Sequence, residues 1–177
     1  EIVDIYIAFS IVYLRKQEYE TAIIYLQMAL SIYSKQTSIN YAKLVRIYRN
    51  LGYFYNNIGD YDKAIFYYKK CASKMITTNW NEYSYIVTLL NSTGISFKNK
   101  GNYDEALQYY TKALITIDQN HGTSTHRSDI YNNIGVVYKY KGAYNKSLQY
   151  FKKALYFNNT NIGEKTKRYT SARNYNN

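Results

Sequence analysis

Residues 50–64 read NLGYFYNNIGDYDKA. Counting from Gly52, an aromatic follows three residues on (Tyr55), a tyrosine nine on (Tyr61) and a small residue twelve on (Ala64). The register returns around Ser10, Gly94 and Gly135, the four pivots being separated by 42, 42 and 41 residues. The aromatic recurs as Tyr13, Phe97 and Tyr138, the tyrosine as Tyr19, Tyr103 and Tyr144, the small residue as Ala22, Ala106 and Ser147. A second small residue recurs nineteen on, as Ala29, Cys71, Ala113 and Ala154. A fixed period in this range marks stacked supersecondary units, each touching only its neighbours.

Inside each unit the apolar residues fall at helical spacing and do not alternate as in strands. Leu44, Ile47, Tyr48, Leu51, Tyr55 and Ile58 form one stripe. Gly59-Asp60 then breaks the helix, with Gly59 as its C-terminal cap, and Tyr61, Ala64, Ile65, Tyr68 and Cys71 form the stripe of a second helix. Gly101-Asn102 and Gly142-Ala143 break the later units in the same way. The first unit has Gln17-Glu18 there, which predicts a less sharply defined turn. A glycine inside a helix costs about 1 kcal/mol relative to alanine, so recurrent Gly52, Gly94 and Gly135 imply close approach of the partner helix, expected near Ala64, Ala106 and Ser147. Aromatics filling the gaps around them account for most of the 25 tyrosines.

The segments Asn50-Leu51-Gly52-x-x-Tyr55, Tyr61-Asp62-Lys63-Ala64, Tyr103-Asp104-Glu105-Ala106 and Asn133-Ile134-Gly135-x-x-Tyr138 resemble tetratricopeptide repeats. Those repeats are usually 34 residues long. The 42-residue spacing, and the stretch His121 to Gly135, are similar to the kinesin light chain variety, although its usual His-Pro pair is His121-Gly122 here. The resemblance covers residues 2 to 158. It implies an all-α fold: a right-handed superhelical solenoid of antiparallel helix pairs, four repeats plus the start of a fifth. The repeats are expected at about 1-36, 37-78, 79-120 and 121-158, within a solenoid spanning 1-158. For 159-177 two readings stand: a basic linker leading from Lys165 into a truncated first helix of a fifth repeat, or a disordered tail. The first rests on Tyr175-Asn176-Asn177, which repeats Tyr131-Asn132-Asn133, and with the missing initial methionine it reads the chain as cut at both ends.

The run Ile5 to Leu14 has no basic flank, is too short to span a bilayer and aligns with the other repeats, so it reads as a buried helix. No proline interrupts the chain, and its single cysteine excludes an intrachain disulfide and fits a reducing, cytoplasmic setting. The formal net charge of +11 favours acidic partners. Richness in Lys, Asn, Ile and Tyr is also what A/T-biased coding produces, so charge alone selects no partner.

In this architecture the first helices line the concave side, and the open face holds positions −3, −2, +1, +4 and +5 from the pivot. In the second unit these are Arg49, Asn50, Tyr53, Asn56 and Asn57, with Arg46 one turn earlier. The third gives Asn91, Ser92, Ile95, Lys98 and Asn99; the fourth gives Asn132, Asn133, Val136, Lys139 and Tyr140. The first gives Ile7, Ala8, Ile11, Leu14 and Arg15 and is largely apolar, which makes it a candidate for self-association. An asparagine amide offers a donor and an acceptor together, matching the backbone of an extended peptide. The kinesin light chain resemblance implies that Asn50 and Asn133 grip such a backbone, with Ser92 departing from the pattern and Asn91 beside it. Arg46, Arg49, Lys98 and Lys139 add a preference for acidic side chains.

The carboxylate-clamp mode known in these repeats needs a basic residue and an asparagine where Ile7 and Ile11 stand, which argues against it. His121 and His126 have no metal-ligand cluster around them, and Cys71 takes a place that is alanine in the other units. Trp80 is expected to cover a seam between units. With no catalytic constellation and no cofactor motif, the leading expectation is a non-enzymatic scaffold that binds an extended, acidic peptide segment in the concave groove, without membrane. The alternatives are a single-stranded RNA-binding helical repeat, since basic residues interleave with aromatics, or a regulatory or self-associating segment of a larger enzyme.

Overall fold

A computed structural model describes residues 1–33, 40–77, 82–120 and 124–174, with side chains described as far as Asn159 except at 77, 124 and 125. Trp80 and His121 lie outside the described residues. Among the described residues there are eight α-helices and no strand: α1 (Ile2–Arg15), α2 (Tyr19–Tyr33), α3 (Tyr41–Asn57), α4 (Tyr61–Thr77), α5 (Tyr83–Asn99), α6 (Tyr103–Gln119), α7 (Ser124–Tyr140) and α8 (Tyr144–Asn174). The chain forms two compact units, one of Glu1–Glu82 with Asn99–Gly101, the other of Tyr83–Lys98 with Asn102–Asn177.

Each pair of helices is joined by the same tight turn. Gly59, Gly101 and Gly142 take φ of +83°, +88° and +73°, the left-handed conformation that a side chain disfavours. The N–H after each reaches back to the carbonyl of the aromatic three residues past the pivot: Asp60 to Tyr55, Asn102 to Phe97 and Ala143 to Tyr138, each at 2.9 Å. The first unit corrects the expectation of a looser turn. Gln17 takes φ of 62°, and Glu18 N–H donates to Tyr13 at 3.0 Å. The helix-end hydrogen bonds hold the geometry even where a side chain makes it unfavourable.

The pivots do admit close approach, but what approaches differs from expectation. A Cβ on Gly52 would lie 2.6 Å from the Tyr68 ring, one on Gly94 2.5 Å from Tyr110, and one on Gly135 2.8 Å from Phe151. The glycines accommodate an aromatic ring sixteen residues on. In the first unit the pivot is Ser10 and the residue sixteen on is Leu26, both fully buried, with Ser10 Oγ donating to the Ile7 carbonyl at 2.7 Å. The small residue twelve on also comes close at one pivot, where Ser147 Oγ donates to the Gly135 carbonyl at 2.8 Å. Cys71 is fully buried, its Sγ 3.5 Å from the Val45 carbonyl oxygen.

Two expectations about the ends change. Within α1 only Val3, Ile7 and Ser10 are buried, whereas Ile2, Ile5, Phe9, Ile11 and Val12 are exposed, so the helix buries one face and presents the other. Ile7 therefore belongs to the core and leaves the open face of the first repeat. At the other end α8 continues without interruption to Asn174, through the stretch in which a linker is expected. Gly163 is the one residue there that disfavours a helix interior strongly, and about 1 kcal/mol is too little to end it.

Candidate functional site

In the second unit of the molecule, α5 and α7 both pack against the cluster formed by Val87, Ala106, Tyr110, Ile117, Ile130 and Ile134. With that apolar side fixed inward, the sequence-predicted residues emerge on the faces left accessible. Asn91, Ile95 and Lys98 on α5 are half-buried; on α7, Asn133 and Val136 are half-buried and Asn132, Lys139 and Tyr140 exposed. Asn99, at the end of α5, is exposed. The structure brings Asn91 and Asn133 together: Asn133 Nδ2 donates to Asn91 Oδ1 at 2.9 Å. This amide pair leaves the Asn91 NH2 group to donate and the Asn133 oxygen to accept, two groups of opposite polarity side by side. Ser92 is half-buried beside it. Tyr140 stacks at 5.8 Å and 11° on Tyr103, the first residue of α6.

Lys98 and Lys139 stand in the last turns of α5 and α7, where a cation complements the negative helix end. Neither makes an ion pair among the described residues, whereas Lys141 pairs with Asp104 and Arg127 with Asp118. Burial holds the Lys98 ammonium below the usual lysine pKa, since removing it from water disfavours the charged form. An anion placed beside it would restore that loss.

One turn or more towards the helix N-termini lies a hollow of about 160 Å³ lined by Val87, Thr88, Asn91, His126, Asp129 and Ile130. Sequence reasoning weighs His126 only as a metal ligand and passes over Asp129 and Thr88, although a signal exists for those two. Thr88 and Asp129 sit six residues before their pivots, the place Arg46 holds in the second repeat. Asp129 gives this end of the face a carboxylate.

In the first unit of the molecule, α3 carries the corresponding residues. Arg46, Tyr53 and Asn57 are exposed, and Arg49, Asn50 and Asn56 half-buried. Arg49 donates to Asn50 Oδ1 from Nε at 3.4 Å and from a terminal nitrogen at 3.2 Å, so the Asn50 amide keeps its donors for a partner. Asn57 instead turns back on its own helix, donating to the Tyr53 carbonyl at 2.7 Å. Arg46 makes no ion pair among the described residues.

Repeated antiparallel helix pairs, each with a small pivot and a tight turn, define a helical-repeat protein. The tetratricopeptide repeat family profile matches residues 1–73 and 85–156, and the chain belongs to that family. No curated protein matches it in sequence. Among solved structures it is similar to BtubC (BKLC) from P. vanneervenii, at 22% identity and TM-score 0.72, covering 85% of this chain and 60% of that one. It is similar also to aspartyl phosphate phosphatase F from Bacillus subtilis, at 15% identity and TM-score 0.76, covering 90% of this chain and 42% of that one. A third is the Rap conjugation gene regulator of plasmid pLS20 in complex with the Phr* peptide, at 23% identity and TM-score 0.72, covering 82% of this chain and 40% of that one. These likenesses show an all-helical repeat solenoid. The chain spans less than two thirds of the length of all three. No helix among the described residues is long and apolar enough to cross a membrane.

Proposed function

We propose that the chain is a protein-interaction scaffold whose α5–α7 face binds an extended peptide bearing an acidic side chain. The observation that carries this reading is the Asn91–Asn133 amide pair on the same face as Lys98, which is half-buried, makes no ion pair among the described residues and lies about two turns further along α5. The amides match a peptide N–H and C=O, while Lys98 and Lys139 match a carboxylate. Asp129 lies ten residues before Lys139 along α7, which is ~15 Å at the helical rise. An extended peptide covers that span in about four or five residues. The preferred ligand therefore places its carboxylate at the Lys98 end and a hydroxyl, amide or basic group at the Asp129 end. A structural neighbour bound to a peptide supports the reading by fold analogy. The amides of α3 offer the same chemistry on the first unit. Replacing Asn50, Asn91 and Asn133 together by alanine tests it: peptide affinity should fall at least tenfold with helicity intact, and unchanged affinity would remove the amides from the account.

A further inference from the structure

The hollow between α5 and α7 offers a hydrogen-bond acceptor on Thr88, Asn91 and Asp129, three of its six lining residues. Thr88 Oγ1 donates to the Ser84 carbonyl at 2.9 Å, so its proton is committed and its oxygen is left to accept. Asn91 Oδ1 takes one bond from Asn133 and keeps a second lone pair. Asp129 is exposed, accepts only when ionised, and makes no ion pair among the described residues. Asp4, Glu18, Asp60, Asp62, Asp104 and Asp118 all have basic partners. Arg127, close to Asp129 along α7, is committed to Asp118.

The hollow also has an apolar wall, since Val87 and Ile130 line it and are each 1% exposed. An apolar wall beside a carboxylate suits a side chain with an aliphatic stem and a cationic tip. Lysine matches this set better than arginine. Its ammonium has three rotatable donors, one for each of Thr88, Asn91 and Asp129, whereas a guanidinium presents a planar fork suited to a single carboxylate. A serine or threonine would bring one donor and leave the apolar wall uncovered. Lys98 and Lys139 stand ten residues past Thr88 and Asp129, ~15 Å at the helical rise. That exceeds the screening length of about 8 Å at physiological salt, so they leave the hollow open to a cation.

Resting on the α5–α7 peptide reading, we infer that this hollow is the subsite for a lysine side chain of the bound peptide. That lysine lies about four or five residues from the acidic residue held at the Lys98 end.

Titration with Nα-acetyl-lysine amide at about pH 8, where an imidazole is ordinarily neutral, tests the hollow by itself. The backbone amide NMR signals of Thr88, Asn91 and Asp129 should shift on binding. Asp129→Asn, at an exposed position, should weaken the response about tenfold. Nα-acetyl-norleucine amide, which keeps the stem and lacks the charge, should bind the unmodified chain as weakly. An equal response to the lysine and norleucine probes, or an unchanged response in the variant, overturns the proposal. Peptide selection then separates the subsite from the reading beneath it. Enriched peptides should carry lysine at the stated distance from an acidic residue, and Asp129→Asn should lose that lysine preference. Acidic peptides without lysine overturn the subsite and leave the peptide reading standing. A lysine response with no acidic enrichment supports the hollow and counts against the peptide reading.

Discussion

Gly94 and Tyr110 occupy one space: a Cβ on the glycine would sit 2.5 Å from the tyrosine ring, which is fully buried. Gly94→Ala gains about 1 kcal/mol in helix propensity but overpacks a ring that has nowhere to move, at about 1–3 kcal/mol. We expect a net loss of about 1 kcal/mol in urea unfolding. Combined with Tyr110→Leu, which copies the Ser10–Leu26 pairing of the first repeat, the alanine should become neutral or favourable. A double-mutant cycle without coupling would contradict the shared-space account.

Tyr110 also carries a buried hydroxyl with no hydrogen-bond partner among the described residues. Such a group costs about 1–3 kcal/mol of desolvation, and the fourth repeat places Phe151 at the same position. Tyr110→Phe should therefore stabilise the protein, read as a higher urea midpoint with the same slope. A lower midpoint would show that the hydroxyl is satisfied.

Stability should fall at alkaline pH. Burial pushes the phenols of Tyr110, Tyr48, Tyr67, Tyr109 and Tyr131 above the usual value of 10.0. With the folded pKa above the unfolded one, their contribution is complete below pH 10 and is lost as pH rises past it. Phenolate absorbance and helical signal should change together above that pH, and Tyr110→Phe should move the transition upward. Phenol titration that runs ahead of any loss of helix would contradict the burial argument.

Gln17→Gly should stabilise the first turn. A non-glycine residue in the left-handed region costs about 1–2 kcal/mol, of which glycine returns part as unfolded-chain entropy. A gain of about 0.5–1 kcal/mol is expected in thermal or urea unfolding. No gain would mean that the glutamine side chain makes a compensating contact.

The repeat was legible because packing constrains every unit alike: a pivot, an aromatic, a turn and a small residue recur with the period of the helix pair. What filled the pivot was not. Tyr68, Tyr110 and Phe151 sit sixteen residues on, and a stripe of aromatics does not reveal which ring meets which glycine. The turn at Gln17 escaped because backbone hydrogen bonds there override a residue preference. At the candidate face, the register expects Asn91 and Asn133 on the open side, and both are half-buried in the structure. Their mutual hydrogen bond depends on how α5 and α7 sit together, which spacing within one helix cannot supply. Asp129 was within reach, one turn back along the stripe that placed Arg46.

Selection from an unbiased peptide library, with a single-stranded RNA pool as competitor, tests the α5–α7 face most directly. It should be run on the unmodified chain and on a variant carrying both Lys98→Glu and Lys139→Glu. The account predicts enrichment of peptides with an acidic residue, held against RNA and lost in the variant. Displacement by RNA, or the same peptides enriched by the variant, would contradict it.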